Sequence, residues 1–551
     1  TFLPMVLSWF WILGICGLFD IKFNFVNVLV TTFIFGLGDD FCIFITDGLL
    51  SKYKLGANKL RSYKSSIVLS TTTTIIGTGV LLFAKHPALS SIAAISVVGM
   101  ICISFISLTL QPIIFEYTIQ KRKESGEPPL TLFIIVTSFI SFGYFVIGCL
   151  FMTILVPLFY IFPARARSKR MVYNFIIGKF AGSVINLMPN VKKTVINTGK
   201  EKFEKPAIII ANHQSFIDIL ATIMLHPRIV ILTKSWVWHS PLFGWVVRYA
   251  GFPTAVRELD ENEDHIKECL DNGYSVVIFP EGTRSKNGKI ARFHKGAFYM
   301  AEKYDVDIIP IVLHGFADTI RKGGFILLSG QLTMKILPRI ASSDSLYGAG
   351  YRERAKGISK YMRGEFQSLS NDLEDVKYFR NSVLSNYIYK GPVLEWYVRI
   401  KMILEKNFGE IENHVRKQGT IVDMGCGLGY LRYMLHFTSK ERNILGLDYD
   451  AQKVAIASNC YSMNEKMDFR EANLKYYQPE AADCYIIKDV LHYLPIERQI
   501  ELVEDCCDKL NEGGRILIRD GFVENNRHKF TKLTELFYTR LIGFNKVEND
   551  L

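Results

Sequence analysis

Several common features are missing from this 551-residue chain, and each absence excludes something. Its ten cysteines are scattered, with only Cys506 and Cys507 adjacent and no Cys-x-x-Cys pair. That argues against a disulfide framework and a zinc site, so no metal is expected, and it fits a reducing compartment. No internal repeat is visible, and the only homopolymer is Thr71–Thr74. The loop 51–64 has five positive charges and no acid. No nucleic-acid motif accompanies the net charge of +12, so no nucleic-acid partner is expected. No initiator Met and no charged leader precede the first apolar run, so a piece of a longer protein is expected rather than a signal peptide.

What is present is apolar and unevenly placed. Hydrophobic residues make up 49% of the chain. Mean hydropathy is +0.17, with the excess in the first 162 residues. A chain of this length exceeds a single core, so three or more domains are expected. Four stretches, about 3–19, 23–50, 66–84 and 88–116, are each expected to be long enough to cross a hydrocarbon core, which needs roughly 20 residues. The basic loop 51–64 and Lys121-Arg122-Lys123 both place the same side in the cytoplasm. A fifth stretch, 131–162, would run about 48 Å as one helix, against a core of about 30 Å. A re-entrant hairpin bent near Ser141-Phe142-Gly143 is therefore expected.

From about 170 the pattern turns α/β. Ala207–Ala211 reads as a buried strand that delivers Asn212-His213-Gln214-Ser215-Phe216-Ile217-Asp218 to a strand end. Ser215 with Asp218 also has the form of a helix capping box. A second strand, Ser275–Phe279, ends in Pro280-Glu281-Gly282-Thr283-Arg284-Ser285. Here Gly282 permits close backbone approach, and Arg284 offers a planar fork suited to phosphate. Gly251-Phe252-Pro253 with Arg257, Phe293-His294-Lys295-Gly296-Ala297, and Ile309-Pro310-Ile311 complete the set. These blocks, in this order, resemble the glycerolphosphate acyltransferase family, in particular the 1-acylglycerol-3-phosphate acyltransferases. The resemblance implies a histidine base, His213, oriented by Asp218, with direct attack of an acceptor hydroxyl on a thioester. It also implies substrate contacts from Asn212, Ser215, Arg257, Glu281, Gly282, Thr283, Arg284 and Lys295. Acyl-CoA or acyl-carrier protein is the expected co-substrate.

A polar, helix-forming stretch covers about 341–417, and a second α/β pattern begins at Thr420. Asp423-Met424-Gly425-Cys426-Gly427-Leu428-Gly429 reads as a strand end, a glycine-rich loop and a helix start. The strand Ile444–Leu447 then ends in Asp448, 19 residues after Gly429, where ribose hydroxyls need an acceptor. This segment resembles class I methyltransferases, which implies S-adenosyl-L-methionine as cofactor. By that resemblance Asp423, Gly425, Gly427, Gly429, Asp448, Asn473 and Asp489 are cofactor-binding candidates. Asp489 or His492 is a candidate base. The chain stops before the last strands of such a domain, so the domain is expected to be truncated.

Gly36-Leu37-Gly38-Asp39-Asp40-Phe41 lies inside the second apolar stretch. An acid at bilayer depth costs about 2.5–3.5 kcal/mol on insertion scales, which points to a proton relay or to burial against other helices. The block resembles exporters of the resistance-nodulation-division superfamily, of the MMPL type. Ser70–Thr74, Gly77 and Gly79 suit close helix packing. The expected architecture is therefore a transmembrane α-helical bundle followed by two α/β domains, an acyltransferase fold and a Rossmann-like methyltransferase fold. The expected boundaries are 1–120 for the exporter-like segment, 121–169 for a linker and hairpin, 170–345, 346–417 for a helical linker, and 418–551. Membrane lipids, a thioester carrier and other membrane subunits are the expected partners, at a bacterial inner membrane with cytoplasmic catalytic domains. The domain order resembles fused proteins of aryl-polyene and flexirubin-type pigment pathways. General phospholipid synthesis, or a transporter or scaffold with inert enzymatic domains, are the alternatives.

Overall fold

The computed structural model describes residues 2–255, 259–285, 288–405 and 407–520. They form two compact units, Thr131–Tyr378 on one hand, and Thr1–Leu130 with Phe379–Leu551 on the other.

The first unit is built on a six-stranded sheet. Its strands are β1 (Val191–Asn197), β2 (Ile208–Ala211), β3 (Ile229–Ile231), β6 (Ser275–Ile278), β7 (Ile308–His314) and β8 (Gly330–Ile336). Between them β4 (Thr233–Lys234) and β5 (Thr254–Ala255) form a separate short pair. The order is β1-β8-β7-β2-β6-β3, and every pairing is parallel except β7 with β8. All residues of β2, β6 and β7 are buried. That is why these strands read as unbroken Ile/Val runs, since a parallel sheet is covered on both faces. The loops after β2 and β6 thus emerge side by side at the carboxyl edge.

Residues Leu132–Ile161 are one continuous helix and not the expected hairpin. The reason is its buried stripe: Ser138, Ser141, Phe145, Cys149, Met152 and Val156 recur every three or four residues. A bend at Ser141-Phe142-Gly143 would break this stripe in two. The helix packs on Ala166–Asn186, with Gly148 allowing the ring of Phe180 to approach. Phe145 stands edge-on to Phe216, at the turn after β2 (ring centroids 5.2 Å apart). The opposite face, including Phe139, Ile147, Phe151 and Ile154, is exposed and apolar. The helix Tyr351–Leu373 buries Ala355, Ile358, Met362 and Leu369 in this same core. The expected linker 346–417 is therefore divided between the two units.

The second unit begins with the helices Phe2–Leu18, Phe25–Leu55, Leu60–Phe83 and Pro87–Glu124. Among the described residues, three helices are long and apolar enough to cross a membrane: Leu60–Phe83, Pro87–Glu124 and, in the first unit, Leu132–Ile161. Close packing comes from Gly38 against Ile103 and Gly99 against Ile34. Gly77 and Gly79 have no neighbour where a Cβ would stand, so they do not play the packing role expected of them. Thr71 does bond Ser104 (2.6 Å), and Gln111 Nε2 donates to Cys42 O and Thr46 Oγ1.

This unit's α/β body has β9 (Gln418–Met424), β10 (Glu441–Asp448), β11 (Met467–Glu471), β12 (Ala482–Lys488) and β13 (Leu510–Arg519). All pairings are parallel, in the order β11-β10-β9-β12-β13. The order reverses between β9 and β12, where such sheets open a crevice at their carboxyl ends. Arg432 is fully buried beneath β9 and β10, and its Nη2 donates to Asp423 O (2.9 Å) and Leu445 O (3.0 Å). Its guanidinium fills the space over Gly446, where an added Cβ would stand 1.0 Å from Nη1. Gly446→Ala is therefore expected to destabilise this body by about 1–3 kcal/mol or more, the overpacking range. Thermal unfolding followed by circular dichroism checks this, and an unchanged midpoint refutes it.

Candidate active site

The first site grows from the end of β2. Asn212 exchanges two hydrogen bonds with Leu313 of β7, its amide donating to O (2.9 Å) and its Oδ1 accepting from N (2.7 Å). The side chain thus extends the sheet by one rung. Ser215 is buried, and its hydroxyl donates to Ile320 O (2.8 Å). Asn212 and Ser215, expected at the substrate, therefore have their polar groups engaged within the scaffold. Asp218, in the first turn of the helix Ile217–Ile223, reaches back to the turn before it: Oδ2 accepts from Gln214 N (2.6 Å) and Ser215 N (2.8 Å). It also pairs with His213 Nδ1 at 2.8 Å. Asp218 is fully buried, and burial pushes its carboxyl up while the His213 bond pulls it back. The pairing assigns the Nδ1 proton to the Asp218 side, leaving Nε2 with its lone pair.

The loop after β6 closes on this turn. Phe279 stacks on the imidazole of His213 (centroids 4.3 Å, planes 23° apart). Glu281 is buried and binds backbone on both sides, accepting from His213 N (2.9 Å) and Ala291 N (3.0 Å). Burial pushes its carboxyl above the usual range. Ser285 N donates to His213 O (2.7 Å). Gly282 adopts a left-handed φ of 67°, and Gly282 and Thr283 are exposed at the tip with Arg284 half-buried beside them. Lys295 is exposed at the start of the helix Gly296–Lys303. Arg257 lies outside the described residues.

One residue joins the loop without having been expected there. Lys322 Nζ donates to Thr283 Oγ1 (3.1 Å) and Arg284 O (2.8 Å), placing a second cation at the Arg284 loop. The available signal was Arg321-Lys322 before Gly323-Gly324, a basic pair followed by a turn.

The second site lies at the carboxyl edge of β9, β10 and β12. Gly425, Gly427 and Gly429 all have positive φ (78°, 54° and 79°). A Cβ at Gly425 or Gly429 would strike Val490 or Phe469, whereas Gly427 faces open space within 4 Å. The loop is thus packed from behind and open in front, which fits close approach of S-adenosylmethionine. Asp448 holds it, with Oδ2 accepting from Gly427 N (2.7 Å) and Oδ1 from Asp450 N (3.0 Å). Asp423 is buried, and its carboxylate pairs with Arg432 Nε (3.3 Å), so it acts on the loop from behind rather than at its open face. Asn473 is exposed, with Oδ1 accepting from Lys475 N. Asp489 has a φ of 52° and lies within 4 Å of Lys488 and Arg519 cations (3.9 and 3.7 Å). His492 Nδ1 pairs with Asp520 Oδ1 at 2.7 Å. Asp520 had no signal in the sequence, because it comes from the far end of β13.

Asp39 is half-buried and Asp40 exposed on the helix Phe25–Leu55. No group of three His, Cys, Asp or Glu residues able to hold a metal occurs among the described residues.

Three family models match the chain in succession: "MMPL family" over 6–125, "Acyltransferase" over 194–314, and "Methyltransferase domain" over 421–514. Among curated proteins, a 1-acyl-sn-glycerol-3-phosphate acyltransferase of Chlamydomonas reinhardtii is 30% identical over 233 residues, 40% of this chain and 68% of that protein. The chloroplastic enzyme LPAT1 of Arabidopsis thaliana is 37% identical over 117 residues. That match covers 20% of this chain and only 33% of the relative's length. Among solved structures, the 1-acyl-sn-glycerophosphate acyltransferase PlsC of Thermotoga maritima matches at 23% identity and a TM-score of 0.38. It covers 43% of this chain and 96% of that one. Human N-acetylserotonin methyltransferase with bound SAM matches at 22% identity and a TM-score of 0.20, over 24% and 39% of the two chains. The chain belongs to the 1-acyl-sn-glycerol-3-phosphate acyltransferase family, with an MMPL-type segment before that domain and a methyltransferase domain after it.

Proposed function

We propose that the first site transfers an acyl chain from a thioester to the hydroxyl of a phosphate-bearing acceptor. The observation that carries this is His213, held by buried Asp218 and stacked on Phe279, with Nε2 left open. Nε2 takes the hydroxyl proton as the acceptor oxygen attacks the thioester carbonyl. The new C–O bond forms, the C–S bond breaks, and the proton passes to the departing thiolate. Arg284 and Lys322 support a phosphate seat beside this reaction. The donor is acyl-CoA or acyl-carrier protein, and the apolar outer face of Leu132–Ile161 brings the site to a membrane. That membrane is the bacterial inner membrane, with both catalytic bodies on the cytoplasmic side.

We infer that the second site methylates a co-product or the same product. The Gly425–Gly429 loop and Asp448 would hold S-adenosylmethionine, which when bound would supply an electrophilic methyl group. His492, oriented by Asp520, serves as base for the acceptor. Asp489 is less suited to this, because its carboxylate already lies within 4 Å of the Lys488 and Arg519 cations. An acyltransferase and a methyltransferase in one chain favour a product that carries both an ester and a methylated group, as in aryl-polyene-type pigments. General lysophosphatidate acylation is the competing reading.

His213→Ala is expected to abolish acyl transfer without unfolding the chain, and retained turnover refutes the assignment. Asp218→Asn is expected to lower kcat about 10²–10⁴-fold, the range for a general base and its orientation. Lys322→Ala is expected to raise KM for a phosphate-bearing acceptor several-fold with kcat little changed. An equal loss on an acceptor without phosphate would refute the seat. Brisk turnover of lysophosphatidate would favour phospholipid synthesis over the pigment reading. His492→Ala is expected to lose methyl transfer about 10²–10⁴-fold while calorimetric binding of S-adenosylmethionine persists.

A further inference from the structure

The helix Pro392–Leu404 carries two apolar stripes. Leu394, Val398 and Met402, four residues apart, are buried. Val393, Trp396, Ile400, Ile403 and Leu404 recur every three or four residues on the other side and are exposed, Trp396 at 66% and Leu404 at 69%. An ordinary surface helix turns one apolar stripe to the core and charge to solvent. Here the outer side is apolar as well, with Arg399 exposed beside the stripe. The Glu395 carboxylate is engaged with backbone, accepting from Tyr389 N (2.8 Å).

The amino end of this helix is tied to the basic ends of the apolar helices, within one compact unit. Tyr389 OH donates to Leu130 O (2.8 Å), and Leu130 N donates to Thr118 O (2.9 Å) near the end of Pro87–Glu124. Lys390 is buried, its Nζ 5.6 Å from the ring centre of Tyr53 in the last turn of Phe25–Leu55. Lys123 Nζ stands 5.5 Å from the same ring centre and donates to Asn459 Oδ1 (3.0 Å). Basic residues at the end of an apolar span mark the headgroup boundary, and aromatic rings gather there. Exposed Tyr117, with Lys121 over its ring (4.2 Å), has that character. Pro392–Leu404 therefore starts at this boundary.

Its other end meets the second site, about 20 Å along the axis. Glu405, the next residue, pairs with Lys488 Nζ (2.5 Å) at the end of β12, and its Oε1 accepts from Tyr430 OH (3.4 Å). Lys488 precedes Asp489, and Tyr430 follows Gly429, so both partners border the crevice. The helix thus runs from the headgroup boundary to the rim of the site, with its outer stripe uncovered. Arg399 beside that stripe, and Lys52, Lys54 and Lys121 at the span ends, suit anionic headgroups.

We propose that Pro392–Leu404 lies in the membrane surface, with its outer stripe seated in lipid and Arg399 at the headgroup phosphates. A helix of this kind sinks its apolar face about 5–10 Å into the boundary between headgroups and acyl chains. The rim formed by Glu405 and Lys488 then stands at the bilayer. Given methyl transfer at the second site, the methyl acceptor is an amphiphile that partitions into the membrane and enters the crevice from the lipid. That acceptor class rests on the methyl-transfer reading, whereas the lipid contact does not.

The test uses the full chain reconstituted in vesicles of phosphatidylcholine and phosphatidylglycerol, with tryptophan fluorescence as readout. Wild type minus Trp396→Phe isolates this residue among the six tryptophans. The difference signal is expected to be shielded from iodide. Lipid brominated near the headgroup is expected to quench it several-fold more than lipid brominated at the chain end. Quenching by iodide with none by brominated lipid overturns the proposal. Shielding from iodide without quenching by brominated lipid also overturns it, because protein, either a second copy or residues 521–551, then covers the stripe. For the acceptor, the vesicles receive a membrane lipid extract and S-adenosylmethionine labelled at the methyl group. Label is expected in the organic phase, and Trp396→Gln with Ile400→Gln is expected to slow its appearance several-fold while calorimetric binding of S-adenosylmethionine persists. Label confined to water-soluble acceptors, or equal rates for wild type and variant, overturns the acceptor class. Lipid quenching of Trp396 with no methyl transfer to either phase would sink the methyl-transfer reading and leave the membrane contact standing.

Discussion

One carboxylate oxygen organises the acyl-transfer site. Asp218 Oδ2 accepts His213 Nδ1 and the backbone N–H groups of Gln214 and Ser215. A buried carboxylate loses hydration worth several kcal/mol, and only hydrogen bonds to its charge offset that loss. The turn from β2 into the helix Ile217–Ile223 is the conformation that brings all three donors to one atom. Holding the turn and aiming the imidazole are therefore one interaction. A side chain that served only to hold the turn would have no need of the histidine. One that served only to orient the histidine would leave two backbone donors without a partner.

Glu281 does the corresponding work from the neighbouring strand. It joins His213 N to Ala291 N across the loop after β6, and Ser285 N returns a bond to His213 O. His213 is thus held by side chain, by both backbone groups and by the face of Phe279. The apolar helix Leu132–Ile161 reaches the same turn through Phe145 and Phe216. Phe145 belongs to the buried stripe of that helix, so the packing of the helix and the position of the turn are linked.

The methyltransferase body uses the same device on a glycine loop. Asp448 ties Gly427 to Asp450 from the open side of the sheet, while Asp423 and Arg432 brace the loop from below. Arg432 is buried beside the Asp423 carboxylate, and the carbonyl oxygens of Asp423 and Leu445 accept from its Nη2. Gly446 leaves room for it.

Much of this was legible in the residues themselves. Unbroken β-branched runs mark strands buried on both faces, and the residues that follow them mark the site edge. The blocks around His213 and Glu281, and the three glycines before Tyr430, identify the acyltransferase and methyltransferase domains because their chemistry needs those residue types close together in the chain. The sequence by itself determined these local units. Only the tertiary structure decided which residues meet across long separations. Lys322 reaches Arg284 and Asp520 reaches His492 because sheet order brings distant loops to one edge, and no local pattern encodes that. Asn212 and Ser215 bond to Leu313 and Ile320, which lie about a hundred residues away. Residues 131–162 form one helix rather than a hairpin for the same reason. Length and hydropathy allow either form, and the choice falls to the partner surface, whose grooves accept a stripe repeating every three or four residues.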